Sequence, residues 1–135
     1  MELKDRIGRG ARREVYPHPD NPEWVIKRVR PDRPKAKDKN RREWEVWSLA
    51  KQIKQHDLLV PCISISECGT YLTQIKGEQI TTKRHLPVKV YTWMAFDADS
   101  PRQWVKINGK ILLCDYDSQQ LAHLKEIINE KSPSE

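Results

Sequence analysis

Three kinds of chemical group in this 135-residue sequence could together handle phosphate. Gly8 and Gly10 lie in one short loop, where backbone amides can approach an anion because no side chain holds the backbone away. Lys27 is a cation inside a predicted strand. Glu43 lies on the inward face of a predicted helix, and because an unpaired buried charge is costly, Lys27 is its predicted partner. Asp115 adds a second carboxylate directly after a predicted hairpin.

The elements that must position these groups follow from hydrophobic periodicity. Residues 3–9 and 13–16 predict two short strands around the glycine loop, and residues 24–29 alternate as a third strand that contains the lysine. A helix is predicted from Asn40, as its cap, to about residue 55. The glutamate then shares the apolar stripe of that helix.

The rest of the chain adds further strands and a second helix. Segments 61–67 and 69–75 predict two strands, which complete a five-stranded antiparallel sheet packed with one helix. Segment 104–114 predicts a hairpin around an Asn-Gly pair suited to a type I′ turn. A short helix is possible at 88–96, and residues 118–131 predict an amphipathic helix.

A glycine loop, a strand lysine, a helix glutamate and a post-hairpin aspartate occur here in the order that protein kinases use. Residues 7–19, I-G-R-G-A-R-R-E-V-Y-P-H-P, are followed by V-I-K at 25–27. This pattern resembles the amino-terminal lobe of the small kinase-like proteins of bacteria and phages, including the PhoP-regulatory-network family. The resemblance implies an α+β, protein-kinase-like fold with a strongly truncated carboxy-terminal lobe. The implied domains are 1–77 and 78–131, followed by a disordered tail at 132–135.

The same resemblance implies ATP and Mg²⁺ as cofactors and assigns the site residues. Segment 71–76 corresponds to the linker whose backbone hydrogen-bonds adenine. A metal-binding side chain is expected twelve residues before the metal aspartate, and a catalytic aspartate a few residues earlier, at either of two positions. The implied ATP-binding residues are Gly8, Gly10, Lys27, Glu43, Gln74 and Lys76. The implied metal ligands are Asp115 and Gln103, and the catalytic candidates are Asp97 and Asp99.

Three functions remain open from the sequence. The first is a minimal ATP-dependent phosphotransferase acting on Ser or Thr of a protein, including a host protein if the source is a phage. The second is a catalytically degraded pseudokinase that binds or inhibits a protein partner, which Ala98 and Gln103 favour. The third, less favoured, is a small basic nucleic-acid-binding domain. It rests on segment 27–42, which holds nine basic and two acidic residues of a chain with net charge +6.

The cysteines and the apolar runs limit which covalent or metal sites, and which cellular location, are expected. Cys62, Cys68 and Cys114 form no C-x-x-C pair, so neither a disulfide framework nor a zinc site is predicted, and we expect three reduced, buried, hydrophobic side chains. No apolar run approaches the roughly 20 residues of a membrane span, and the first residues do not resemble a signal peptide. The predicted location is cytoplasmic, without a membrane partner.

Overall fold

A computed structural model of the chain describes residues 3, 6, 8–9, 13–33, 36, 38–94, 100–117 and 119–131. The chain divides into two compact units, Met1–Trp44 with Pro61–Lys76, and Glu45–Val60 with Gly77–Glu135. The sequence-based boundary after residue 77 lies next to the last of these changes, whereas residues 45–60 had been assigned to the first lobe. The predicted tail at 132–135 lies outside the described residues.

The first unit contains an antiparallel sheet with the strand order β1-β2-β3-β5-β4. Its strands are β1 (Gly8–Arg9), β2 (Arg13–Pro17), β3 (Trp24–Val29), β4 (Cys62–Ile65) and β5 (Tyr71–Ile75). The alternating, β-branched sequence of 24–29 favours an extended strand, and the predicted strand there is confirmed. Because β3 lies at the centre of this sheet, its side chains have neighbours on both sides.

Helix α1 (Asp38–Gln52) supplies residues to both units, up to Trp44 in the first and from Glu45 in the second. Its first turn carries Asp38, whose charge suits the positive end of the helix dipole. The predicted helix at 40–55 is confirmed, but the predicted cap is wrong. Asn40 is the third residue of the helix, and its fully buried side chain bonds to the sheet.

The second unit contains a smaller antiparallel sheet with the strand order β6-β7-β8. Its strands are β6 (Glu78–Gln79), β7 (Trp104–Ile107) and β8 (Lys110–Leu113). The turn between β7 and β8 has positive φ at Asn108 (49°) and at Gly109 (81°), as a type I′ turn requires. The predicted hairpin is therefore confirmed.

The second unit also contains helix α2 (Leu121–Lys131), which confirms the predicted carboxy-terminal helix with a later start. The possible helix at 88–96 is a three-residue 3₁₀ turn at Thr92–Met94 within the described residues. Two other 3₁₀ turns occur at Lys83–His85 and Pro101–Gln103. Fully buried side chains of this unit are Val46, Ala50, Val60, Trp93, Met94, Trp104, Leu113, Tyr116 and Leu124.

The predicted fold class, a kinase-like five-stranded sheet plus one helix, is wrong for this chain. The structure is α+β with two helices and two antiparallel sheets. The hairpin of the second sheet was predicted but its third strand was not, because β6 has only two residues, both exposed, and therefore no alternating pattern. Long-range contacts hold this strand instead, since the Gln79 amide donates to the carbonyls of Pro101 and Trp104, 3.1 and 3.0 Å away.

Among the described residues, neither helix has the length and apolar character that crossing a membrane requires.

Candidate functional site

Lys27 and Glu43 form a buried ion pair in the first unit. Lys27 lies in the interior of β3, and its Nζ is 2.7 Å from Oε2 of Glu43, which belongs to the second turn of α1. The side chains are 8% and 0% exposed, so water cannot screen the pair effectively. The contact confirms the partner predicted from the position of Glu43 on the inward face of its helix.

Two further side chains bind the same carboxylate. The Arg13 guanidinium donates to Oε2 of Glu43 at 3.0 Å and to Oε1 at 3.3 Å, which is a bidentate contact. The Gln74 amide donates to Oε2 at 3.2 Å and to Sγ of Cys62 at 3.4 Å. Glu43 therefore bonds to Arg13 and Gln74 as well as to Lys27, and its orientation does not depend on Lys27 alone.

Arg13 is a site residue that was not predicted from the sequence. In the ladder between β2 and β3, Arg13 lies opposite Val29, which is two residues from Lys27. Because alternate residues of a strand share a face and directly opposed residues do too, Arg13 and Lys27 face the same side of the sheet. The register of β2 against β3 would have indicated that Arg13 lies near Lys27. The sequence does not give this register unless the geometry of the intervening turn is known.

Asn40 connects α1 to this sheet. Its Nδ2 lies 3.0 Å from the Lys27 carbonyl, 3.0 Å from the Gly69 carbonyl and 2.9 Å from the Thr70 carbonyl. Its Oδ1 accepts a hydrogen bond from Arg13 at 3.2 Å. These contacts hold the helix against β3 and against the turn that precedes β5.

The register of the sheet also relates a predicted glycine to the lysine. Gly8 in β1 lies opposite Val15 in β2, and Val15 lies opposite Lys27 in β3. The three residues therefore form one row across the sheet. Gly10, the other predicted glycine, lies outside the described residues.

The predicted adenine-binding linker is mostly strand. Gln74 lies in β5 between β3 and β4, opposite Val25 on one side and Cys62 on the other. Its side chain is 1% exposed and bonds to the glutamate, which is a positioning role that the sequence did not indicate. Lys76 follows the strand, is exposed, and its N–H donates to the Glu23 carbonyl at 2.7 Å. Adenine binding at these two residues stays a prediction.

The predicted metal ligands lie in the second unit. The Gln103 carbonyl accepts a hydrogen bond from the Cys114 N–H at 2.7 Å, so Gln103 lies beside the residue that precedes Asp115. One carboxylate oxygen of Asp115 lies within 4.8 Å of one from Asp117. Two carboxylates at this separation could ligate one divalent cation. Asp117, two residues after Asp115, was not among the predicted ligands.

The two catalytic candidates, Asp97 and Asp99, lie outside the described residues. Their role as catalytic residues therefore stays a prediction.

The opposite face of the first sheet carries a second ion cluster, around Glu14. Its carboxylate accepts hydrogen bonds from Arg28, from Arg6 at 2.8 Å and from the Tyr16 hydroxyl at 3.3 Å. These donors stabilise the ionised form, the Arg28 contact most, and they lower the pKa of Glu14 from 4.5 to about 2 although burial opposes the shift. The Arg28 guanidinium also lies over the Tyr16 ring, 5.1 Å from its centroid.

Neither a protein-family model nor a curated protein matches the sequence. The chemistry of the site therefore rests on its own geometry. The site combines a buried ammonium, the carboxylate that holds it, and a glycine that lies in the same row of the sheet as the lysine.

Proposed function

We propose that this chain is an ATP-dependent phosphotransferase that acts on a Ser or Thr hydroxyl of a protein. The observation that carries the proposal is the pair of Lys27 and Glu43, 2.7 Å apart between a central strand and a helix. Phosphoryl transfer depends mainly on alignment and on neutralising phosphate charge, so a fixed buried ammonium is the residue type it needs. Lysine has three N–H donors, which allows one ammonium to bind a carboxylate and phosphate oxygens together.

The strand register supports the direction in which a nucleotide would lie. The row Gly8, Val15, Lys27 provides a backbone without a side chain at one end, an apolar side chain in the middle and a cation at the other end. Phosphates would contact the cation, while Val15, which is half-buried, would offer an apolar surface. The glutamate, Arg13 and Asn40 would act as positioning residues that keep the ammonium in place.

Magnesium is the second expected cofactor, and the candidate ligands are suited to it chemically. Carboxylate oxygens are the ligands that Mg²⁺ prefers, and Asp115 and Asp117 provide two of them. When bound with ATP, Mg²⁺ neutralises phosphate charge. In this proposal, Asp115 and Asp117 hold the ion and Gln103 fixes the backbone beside Asp115 through the Cys114 amide.

A second candidate function is a module that binds a protein partner and transfers nothing. The near-complete burial of Lys27 and the three side chains on Glu43 favour it, because a purely structural ion cluster has the same features. Nucleotide binding without transfer would be the expected behaviour of such a module. The two candidates are separated by experiment, since both keep the cluster.

The nucleic-acid alternative receives less support from the side-chain contacts. Of the cations in segment 27–42, Lys27 bonds to Glu43, and Arg30 bonds to Asp32 at 2.6 Å. Arg28 bonds to a carboxylate as well. Paired cations bind phosphates of a nucleic acid less strongly, so these three are expected to contribute little to such binding.

The test is thermal unfolding with and without ATP and Mg²⁺, followed by transfer of labelled γ-phosphate to the chain itself or to a protein mixture. ATP at about one hundred times its Kd should stabilise the wild type by about 2.7 kcal/mol. Lys27→Arg keeps a positive charge beside Glu43 but moves the N–H donors. We expect this variant to lose most of the stabilisation by ATP and all phosphate transfer. Lys106→Arg, on the exposed face of β7, is the matched control and should behave as wild type.

Each outcome separates the candidates. A shift without transfer supports the partner-binding module. Absence of a shift in the wild type, or an undiminished shift and transfer in Lys27→Arg, would overturn the proposed phosphotransferase.

A further inference from the structure

A cavity of about 480 Å³ lies in the first unit, where the end of β3 meets the turn between β4 and β5. Arg28 and Arg30 line it from the strand side, and Cys68, Thr70 and Tyr71 line it from the turn. The proposed function makes no use of this cavity. Its volume lies within the range of small-molecule sites, and it combines two guanidinium groups, an aromatic ring and a thiol.

The thiol in this cavity differs from the other two cysteines. Cys68 is exposed, whereas Cys62 is buried and Cys114 is half-buried, so the expectation of three buried hydrophobic cysteines is wrong for Cys68. Its Sγ lies 3.0 Å from Oγ1 of Thr70 and 3.7 Å from Oγ of Ser66. When the sulfur is ionised, both hydroxyls can donate to it. These contacts, that of Thr70 first, lower the pKa of Cys68 from 9.0 to about 7.

The two arginines give the cavity a preference for anions. Arg30 donates from Nε and Nη2 to Asp32, and Arg28 donates from Nη2 to a carboxylate of β2. These contacts raise the pKa of both guanidinium groups, so both stay charged at every pH of interest. The Arg28 side chain is 30% exposed and the Arg30 side chain 11% exposed. A ligand carboxylate is a suitable acceptor for guanidinium N–H donors.

We propose that this cavity is a modification site, in which Cys68 exchanges with a small disulfide whose two halves carry carboxylates. The guanidinium groups of Arg28 and Arg30 would bind a carboxylate of the reagent, and the Tyr71 ring would contact its apolar part. A cavity of this size accommodates a tripeptide-sized group. Cys62 is buried and therefore cannot react with the reagent, and Cys114 does not line the cavity.

The exchange balances without any further reagent. The Cys68 thiol first loses its proton to water, and the thiolate is held by the hydroxyls of Thr70 and Ser66. Sγ attacks one sulfur of the reagent, a new S–S bond forms, and the S–S bond of the reagent breaks. The second half leaves as a thiolate that takes a proton from water. Cys68 and the retained half are then at the disulfide level, the departing half is reduced, and excess thiol reverses the reaction.

The test uses the full chain and two reagents of opposite charge, glutathione disulfide and cystamine. Peptide mapping by mass spectrometry measures the modification rate at each cysteine. We expect glutathione disulfide to modify Cys68 first, and to do so faster than cystamine. Arg30→Gln should lower the ratio of the two rates at Cys68 by about two- to fivefold, as for loss of a partly exposed ion contact.

Three controls make the result decisive. Cys68→Ser must abolish the first adduct. Arg102→Gln, an exposed arginine of the second unit, should leave the rate ratio unchanged. The rate ratio at Cys114 should be the same in all variants, which separates binding in the cavity from the general charge of the protein. Arg30→Gln is preferred to a change at Arg28 because the Arg30 partner, Asp32, is itself 55% exposed, so the fold should tolerate the loss.

Two results would overturn the proposal. One is equal modification of Cys68 and Cys114 by glutathione disulfide. The other is a rate ratio at Cys68 that Arg30→Gln leaves at the wild-type value in a protein of unchanged thermal stability.

Discussion

Glu45 and Glu43 lie two residues apart on helix α1, yet one forms an exposed ion pair and the other a fully buried one. Glu45 Oε1 is 3.1 Å from Lys125 Nζ, with side chains 43% and 56% exposed. Glu43 is 0% exposed and meets Lys27 at 2.7 Å. Two residues correspond to about 200° around a helix, which puts the two carboxylates on nearly opposite faces. The chain therefore offers a matched pair of ion contacts whose energies should differ strongly.

The first prediction compares these two carboxylates. Glu43→Ala leaves Lys27 and Arg13 without the carboxylate they share, and we expect a loss of about 3–5 kcal/mol in the free energy of unfolding. Glu45→Ala removes an exposed contact and should cost at most about 1 kcal/mol. Urea denaturation measures both. Similar losses in the two variants would show that burial of the Glu43 cluster has no special energetic weight.

The second prediction concerns Asn40, which joins the helix to the sheet. Asn40→Ala removes the donor to the carbonyls of Lys27, Gly69 and Thr70, and these acceptors lose a partner that water cannot easily replace. We expect a destabilisation of about 1–3 kcal/mol. Asp38→Ala, at an exposed position in the same turn, should cost no more than about 1 kcal/mol. A stability of Asn40→Ala equal to that of Asp38→Ala would contradict the joining role.

The third prediction is a pH dependence that comes from Glu14. Its pKa is about 2 in the folded protein, against an ordinary 4.5, because Arg28 and Arg6 stabilise the carboxylate. A lowered folded pKa contributes stability that is fully present above pH 4.5 and is lost as the pH falls toward 2. Glu14→Gln should therefore show a shallower loss of stability than wild type between about pH 5 and about pH 3.

Urea denaturation at both pH values measures this slope. Glu67→Gln, an exposed carboxylate in the turn between β4 and β5, is the control and should keep the wild-type slope. If Glu14→Gln also kept it, the ion cluster on that face would contribute nothing to acid sensitivity.

The fourth prediction separates the metal proposal from the nucleotide proposal. If Asp115 and Asp117 ligate one cation, titration calorimetry with Mg²⁺ or Mn²⁺ alone should detect binding to the wild type. Asp115→Asn and Asp117→Asn should each weaken it by at least about tenfold. Asp57→Asn is the control, because Asp57 accepts a hydrogen bond from the Tyr91 hydroxyl and is not one of the carboxylates grouped with this pair. Equal affinity in all three variants would remove the metal role.

Local sequence was sufficient wherever neighbours along the chain decide the structure. The alternation of Trp24–Val29 predicted β3, the helical spacing of apolar residues predicted α1, and Asn108-Gly109 predicted the turn of the hairpin. The pair of Lys27 and Glu43 was also predictable, because a carboxylate among apolar neighbours requires a cation. In each case the rule either acts over a few neighbouring residues or requires a partner of opposite charge.

Other features needed the tertiary structure because their partners are far apart in sequence. Arg13 reaches Glu43 thirty residues away, and Asn40 bonds to β3 and to the turn before β5 rather than capping its helix. The two-residue strand β6 exists only because β7 pairs with it. The exposure of Cys68 and the arginines beside it likewise depend on how the turn after β4 meets the end of β3.

The sequence by itself thus determined the longer strands and both helices, and that a lysine and a glutamate must meet inside the first unit. Only the tertiary structure decided how many sheets form, which additional groups hold that glutamate, and which cysteine is accessible. The physical reason is that periodicity reports burial along one element, whereas strand register and side-chain hydrogen bonds are set by the packing of elements against one another.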